Sequence, residues 1–251
     1  MRSVLITGAT RNTGFSEARK FAKEGWTVFI TSRNAESAEK AAAKITEEFG
    51  TPCYGLGFNM DDIHAAEAVI EFVKSKGIVL DSVVLNSAAQ GLNTDPLTID
   101  IEEWAAVIRT NVVVNFSLAR AVAKEMVAAE KQGTIVFLGS VCYQDCNIGR
   151  SSYNTSKGGI LSMTKSLAMD LGKYGIRVNC LMPGPIHTER YDVLDEDTRK
   201  WRDSCVPIGR VSTGDDIAGG VYFFASEQSG NATGAGLILD GGVDAKNSLG
   251  W

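Results

Sequence analysis

Tyr153 and Lys157 stand four residues apart, and Ser140 lies thirteen residues before the tyrosine, at the end of an apolar run. A four-residue spacing sets both side chains on one face of a helix. A free phenol titrates near ~10 and is a poor acid or base at neutral pH. A lysine ammonium held beside it favours the phenolate and lowers that value. A tyrosine so treated gives a proton to a carbonyl oxygen, or takes one from an alcohol, at physiological pH. Ser140 can hydrogen-bond the same oxygen. The alternative for the Tyr–Lys pair taken alone is a solvated helix face. The surrounding LGSVC is not the GxSxG of a hydrolase elbow, and no histidine stands where a serine triad needs one.

The elements that must position these residues alternate along the chain. Short β-branched runs at residues 4–7, 27–31, 54–58, 82–85, 134–138, 177–181 and 237–239 read as strands. Between them lie helical stripes, such as Ala38, Ala42, Ile45 and Phe49, or Ile63, Ala66, Ile70 and Val73. This pattern predicts the α/β class: a Rossmann-like, doubly wound parallel sheet with helices on both faces. No repeat, low-complexity tract or linker interrupts it, so one catalytic domain is expected over residues 1–251. In such sheets ligands sit outside the carboxyl ends of the strands, at the switch point.

Composition narrows the function. Hydrophobic residues make up 44% and charged residues 22%, enough for a sizeable core. The net charge of −5, without a basic cluster, argues against nucleic acid as a partner. The N-terminus runs straight into a strand pattern, and no apolar run approaches ~18 residues. The expectation is a cytoplasmic protein without a leader or membrane span. Five scattered cysteines fit reduced thiols. Cys142 and Cys146 lack the histidine or second cysteine pair that zinc requires, so no metal is expected. His64 is read as a surface residue opening a helix.

The first turn, TGATRNTG, is suited to a pyrophosphate. Gly8 allows the tight turn, Gly14 a close approach, and the following helix N-terminus attracts the anion. At the end of the second strand, FITSRN places Ser32 and Arg33 where an acid would hold the ribose hydroxyls of NAD. With Arg11 at the same corner, two guanidiniums and no acid favour a 2′-phosphate, hence NADP(H) over NAD(H). The alternative is that one arginine is a solvated loop charge.

Taken together, TGATRNTG, Asn111, Ser140, Tyr153, Lys157 and the closing GLILDGG resemble the classical short-chain dehydrogenase/reductase family over nearly the whole chain. The resemblance implies hydride transfer between nicotinamide and a carbonyl or secondary alcohol carbon. Tyr153 is then the general acid/base and Ser140 polarises the oxygen. Lys157 tunes the tyrosine and binds the nicotinamide ribose. Asn111, expected in a long helix over residues 101–131, binds the lysine through a water and completes a proton relay. Read from the residues alone, Asn111 is either buried with a partner or on the wet helix face. Cofactor contacts are implied for Thr7, Gly8, Thr10, Arg11, Asn12, Thr13, Gly14, Ser32 and Arg33. Further contacts are implied for Asn59, Met60, Asn86, Ser87, Ala88, Tyr153 and Lys157, and for Pro183, Gly184, Ile186 and Thr188 of PGPIHT. Three positions depart from the family pattern: Asn12 replaces a glycine, Asn59 an aspartate and Ala89 a glycine. Asparagine tolerates the left-handed backbone, so the turn is expected to survive.

Residues 187–206 read as a substrate lid with a short helix over 195–204. Candidate substrate contacts are Cys142, Gln144 and Arg150 from the segment 141–150, and His187, Tyr191 and Trp201 from the lid. Within the segment 141–150, the polar Gln144, Asn147 and Arg150 and the small Cys142 and Cys146 point to a polar or charged substrate rather than a long acyl chain. A helix near the C-terminus is expected to be capped by Thr213 or Asp215. The resemblance implies a homotetramer or homodimer, joined through the helices carrying Asn111 and Tyr153, with residues 240–242 and Trp251 at subunit contacts. A hydroxysteroid, a sugar or polyol, and a 3-oxoacyl thioester all remain open as substrates. A lyase, epimerase or dehydratase using the cofactor transiently, or a non-catalytic dinucleotide-binding protein, are the alternatives.

Overall fold

The structure, a computed structural model, describes residues 1–245; Trp251 lies outside them. Seven parallel strands form one sheet in the order β3-β2-β1-β4-β5-β6-β7. They are β1 (Ser3–Ile6), β2 (Thr27–Ser32), β3 (Cys53–Gly57), β4 (Ser82–Leu85), β5 (Gly133–Leu138), β6 (Ile176–Pro183) and β7 (Gly236–Leu239).

The strands are apolar on both sides because both faces are covered. Leu5, Phe29, Val83, Ile135 and Phe137 point into one core layer, while their neighbours Val4, Val28, Val84 and Val136 point into the other. The first layer is closed by α3 (Ala66–Ser75), α5 (Asn115–Ala128) and α6 (Ser151–Leu171). The second is closed by α1 (Asn12–Lys23), α2 (Ala35–Phe49) and α9 (Gly214–Ala225). Each fully buried Phe or Ile side chain in these layers contributes roughly 1.5–3 kcal/mol of transfer free energy. The expected doubly wound architecture is therefore present.

Local chemistry moves some boundaries. The helix expected from Ile63 begins at Ala66, because the Asp62 carboxylate accepts the His64 N–H at 2.8 Å and holds a turn there. His64 and Ile63 are left exposed. The helix expected over 101–131 is three pieces: α4 (Ile101–Ile108), a widened π turn at Arg109–Val114, and α5. By length and composition residues 101–128 could cross a membrane, but Leu118, Val122 and Met126 are buried on the sheet. Thr213, rather than Asp215, caps α9, in a capping box with Asp216.

The sheet order reverses between β1 and β4. The turn after β1, the loop after β4, the end of β5 and the segment after β6 open on the crevice at this point.

Candidate active site

Between β1 and α1 the chain turns at Gly8 with φ of 65°, and a Cβ there would lie 2.5 Å from Ser87 Oγ. A Cβ on Gly14 would lie 2.6 Å from Gly8 O and 2.7 Å from Asn86 Nδ2. The turn is thus a bare backbone cradle. Asn12 has φ of 48°, the left-handed conformation expected where the family has glycine. Asn86 Nδ2 donates to Thr7 O at 2.9 Å, and the Ser87 N–H donates to Thr7 Oγ1 at 3.0 Å. These bonds weld the turn to the end of β4.

Gly8, Thr10, Arg11, Asn12, Thr13 and Gly14 line one open cleft with Ser32, Arg33, Met60, Asn86, Ser87 and Ala88. Thr7 is buried behind it. Asn59 is not in the lining: its Oδ1 accepts the Asp61 N–H at 3.0 Å, and Phe58 and Asp61 line the cleft beside Met60. Arg11 makes an exposed ion pair with Glu189 at 3.2 Å, and Arg33 has no carboxylate within 4.0 Å among the described residues. A bare helix N-terminus flanked by guanidiniums fits the phosphates of a dinucleotide.

The cleft continues into a cavity of about 380 Å³. Ser140, Tyr153, Lys157, Pro183, Gly184, Ile186 and Thr188 line it together. Ser140 sits just past β5, and its Oγ accepts the Cys142 N–H at 3.2 Å, capping a turn at Val141–Tyr143. Its proton has no acceptor among the described residues. Lys157, only 3% exposed, donates from Nζ to Leu138 O at 2.7 Å. That Nζ lies 5.4 Å from the centre of the Tyr153 ring. Tyr153 lines the cavity, and its hydroxyl makes no hydrogen bond among the described residues.

A family model described as "Enoyl-(Acyl carrier protein) reductase" matches residues 8–244. The chain belongs to the short-chain dehydrogenase/reductase family. It is 32% identical over 248 residues to 3-oxoacyl-[acyl-carrier-protein] reductase FabG of Chlamydia muridarum, covering 96% of this chain and 97% of that protein. It is 31% identical over 248 residues to L-rhamnose 1-dehydrogenase (NAD(P)(+)) of Azotobacter vinelandii, covering 96% of both. Among solved structures it resembles gluconate 5-dehydrogenase from Burkholderia cenocepacia, in complex with NADP and tartrate. There the TM-score is 0.89 at 30% identity, covering 98% of this chain and 96% of that one. The protein is an oxidoreductase of this family, acting between CH–OH and C=O.

In this short-chain dehydrogenase/reductase Asn111 is fully buried. Its Oδ1 accepts the Ala89 N–H at 2.7 Å, while Nδ2 donates to Ala89 O at 2.8 Å and Ser156 Oγ at 2.9 Å. The side chain therefore pins the loop after β4 to α6, and Lys157 is held by Leu138 O.

The candidate substrate residues divide. Arg150 stacks over Tyr153, its Cζ 5.4 Å from the ring centre. Tyr191 lines the cavity, but its hydroxyl is spent on Arg199 O at 3.0 Å. Cys142, Gln144 and Arg150 lie outside the lining; Gln144 Nε2 donates to Asp244 Oδ1 at 3.3 Å. His187 turns away to Asp192 at 2.6 Å, and Trp201, a candidate substrate contact, is 64% exposed and outside the lining. That segment carries α7 (Glu189–Asp192) and α8 (Glu196–Ser204), capped by Asp195. Gln90, Arg190 and Arg202 also line the cavity and were not foreseen. Only the position of Arg190 two residues beyond PGPIHT could have flagged any of them.

Proposed function

We propose that the protein is an NADP(H)-dependent oxidoreductase in which Tyr153 exchanges a proton with the substrate oxygen. The observation that carries this reading is the shared cavity wall of Ser140, Tyr153 and Lys157, with Lys157 fixed on Leu138 O. A nicotinamide dinucleotide bound in the adjoining cleft supplies or accepts the hydride. Ser140 donates a hydrogen bond to the substrate oxygen and orients the carbonyl. Tyr153 gives that oxygen its proton as a ketone becomes an alcohol, and removes it in the reverse direction. The Lys157 ammonium stabilises negative charge on the phenolic oxygen while the proton is away. Asn111 keeps the backbone at Ala89 in place beside this pair.

NADP(H) is favoured by Ser32, Arg33 and Arg11 in the cleft wall, with no acid at the end of β2. Residues 187–206 act as the lid, and the chain works as one catalytic domain. The exposed apolar residues Val113 and Phe116, near Asn111, and Met169 on α6 support assembly into a homodimer or homotetramer. Five unpaired cysteines are in keeping with the cytoplasm.

The test is a panel of ketones and secondary alcohols followed at the nicotinamide absorbance with both cofactors. Turnover with NADPH or NADP⁺ in clear preference is the expected result. No nicotinamide oxidation or reduction with any member overturns the reading.

A further inference from the structure

The catalytic cavity carries three cations and no acid. Lys157, Arg190 and Arg202 line it, whereas no Asp or Glu does among the described residues. This is a site of one sign in a chain whose net charge is −5. A fourth cation, Arg150, stands outside that lining and is laid against the Tyr153 ring, its Cζ 5.4 Å from the ring centre.

Two of these guanidiniums converge. Arg150 Nη2 and Arg190 Nη1 both donate to one oxygen, Gln90 Oε1, at 3.2 and 2.9 Å. They arrive from different elements, Arg150 from the start of α6 and Arg190 from α7. The loops are held in register, because the Thr94 N–H donates to Gly149 O at 3.0 Å beneath them. Neither arginine has a carboxylate within 4.0 Å among the described residues. Arg150 Nε is moreover buried without a partner. Two like charges thus meet on a neutral amide oxygen, an arrangement that a carboxylate relieves by accepting from both forks.

We infer that the substrate is a hydroxy acid or oxo acid whose carboxylate is bound by Arg150 and Arg190 in place of the Gln90 oxygen. Arg202 adds long-range attraction. The inference rests on the oxidoreductase reading of the same cavity and adds its substrate class. Because Arg150 lies on the Tyr153 ring itself, the acid group sits only a few carbons from the reacting carbon. The reaction balances as oxo acid + NADPH + H⁺ giving hydroxy acid + NADP⁺, with the carboxylate unchanged.

The test pairs acids with neutral analogues of the same skeleton: gluconate with glucitol, and 2-oxo and 3-hydroxy acids with their amides. Turnover and calorimetric binding are measured on the NADP-loaded protein. The expected result is at least one acid preferred over its neutral partner by 100-fold or more in kcat/KM. In Arg150→Gln and in Arg190→Gln that ratio falls by roughly 10- to 100-fold, the size of a lost charge-assisted bond. The ratio cancels any disturbance of Tyr153 by the Arg150 change. KM for NADPH stays put. Neutral partners that bind and react as well as the acids overturn the inference. So does an Arg190→Gln effect confined to KM for NADPH, which assigns that arginine to the cofactor's phosphates. Selective acid binding without any turnover sustains the carboxylate site and sinks the hydride-transfer reading instead.

Discussion

The Asn12 side chain reaches from the glycine-rich turn to the opposite side of the cleft, where its Oδ1 accepts the backbone N–H of Glu189 at 3.2 Å. The contact joins the phosphate-binding turn to α7, and it depends on a side chain at a position where the family has glycine. The exposed pair between Arg11 and Glu189 runs alongside it. Such a pair is worth at most about 1 kcal/mol, so a phosphate can displace it.

Asn12→Gly keeps the positive φ and deletes this contact. Amide exchange at Glu189 is expected to speed up by about 2- to 12-fold, corresponding to ~0.5–1.5 kcal/mol for one hydrogen bond. Mass-spectrometric or NMR exchange measures it; an unmoved rate means that the contact does not hold α7.

Tyr153→Phe removes the proton donor and leaves the ring between Arg150 and Lys157. Turnover is expected to fall by about 10²- to 10⁴-fold, with NADPH binding retained in a fluorescence titration. Activity within a few-fold of the parent removes Tyr153 from the acid/base role.

Ser32→Asp places a carboxylate at the end of β2, where it repels a 2′-phosphate and accepts from ribose hydroxyls. Preference measured by kcat/KM is expected to move from NADP toward NAD by at least 10-fold, and further when combined with Arg33→Ala. An unchanged ratio places the selecting contacts elsewhere.

Glu17 is fully buried in α1, and neither carboxylate oxygen has a partner. Burial holds its acid well above the ordinary carboxylate range, so the folded protein keeps the proton longer than the unfolded chain does. The folded state therefore loses stability as pH rises from the unfolded carboxyl value near ~4.3 up through the raised value. Glu17→Leu is expected to raise Tm at pH 7 and to flatten its decline as pH rises from about 4.3 to neutrality. Melting curves across that range check it, and a variant less stable at neutral pH refutes the account.

Much of this architecture was legible because its signals are local. Alternating strands and helices, the TGATRNTG turn and the Ser140, Tyr153 and Lys157 spacing each depend on neighbours in sequence. Most of the residues expected around the cofactor line the cleft or the adjoining cavity because a parallel sheet collects every strand's carboxyl end on one edge. What could not be read depended on distant contacts. The break at Arg109–Val114 accompanies a buried Asn111 bonded to Ala89 and Ser156, and nothing in its local periodicity marks it. Likewise Asn59 folds onto its own chain, and Gln90 meets Arg190 and Arg202 only when the connections after β4 and β6 close on one mouth.

Lys157 is moored to Leu138 O, the last carbonyl of a central strand and two residues ahead of Ser140. The groups that handle the proton thus share one stiff strand-and-helix unit, while Gln90 and Arg190 ride on peripheral connections. Substrate range can accordingly be re-engineered by exchanging those connections, with the proton-handling unit carried over intact. A graft of the loops after β4 and β6 from a relative with another preference offers a practical route to new selectivity on this scaffold.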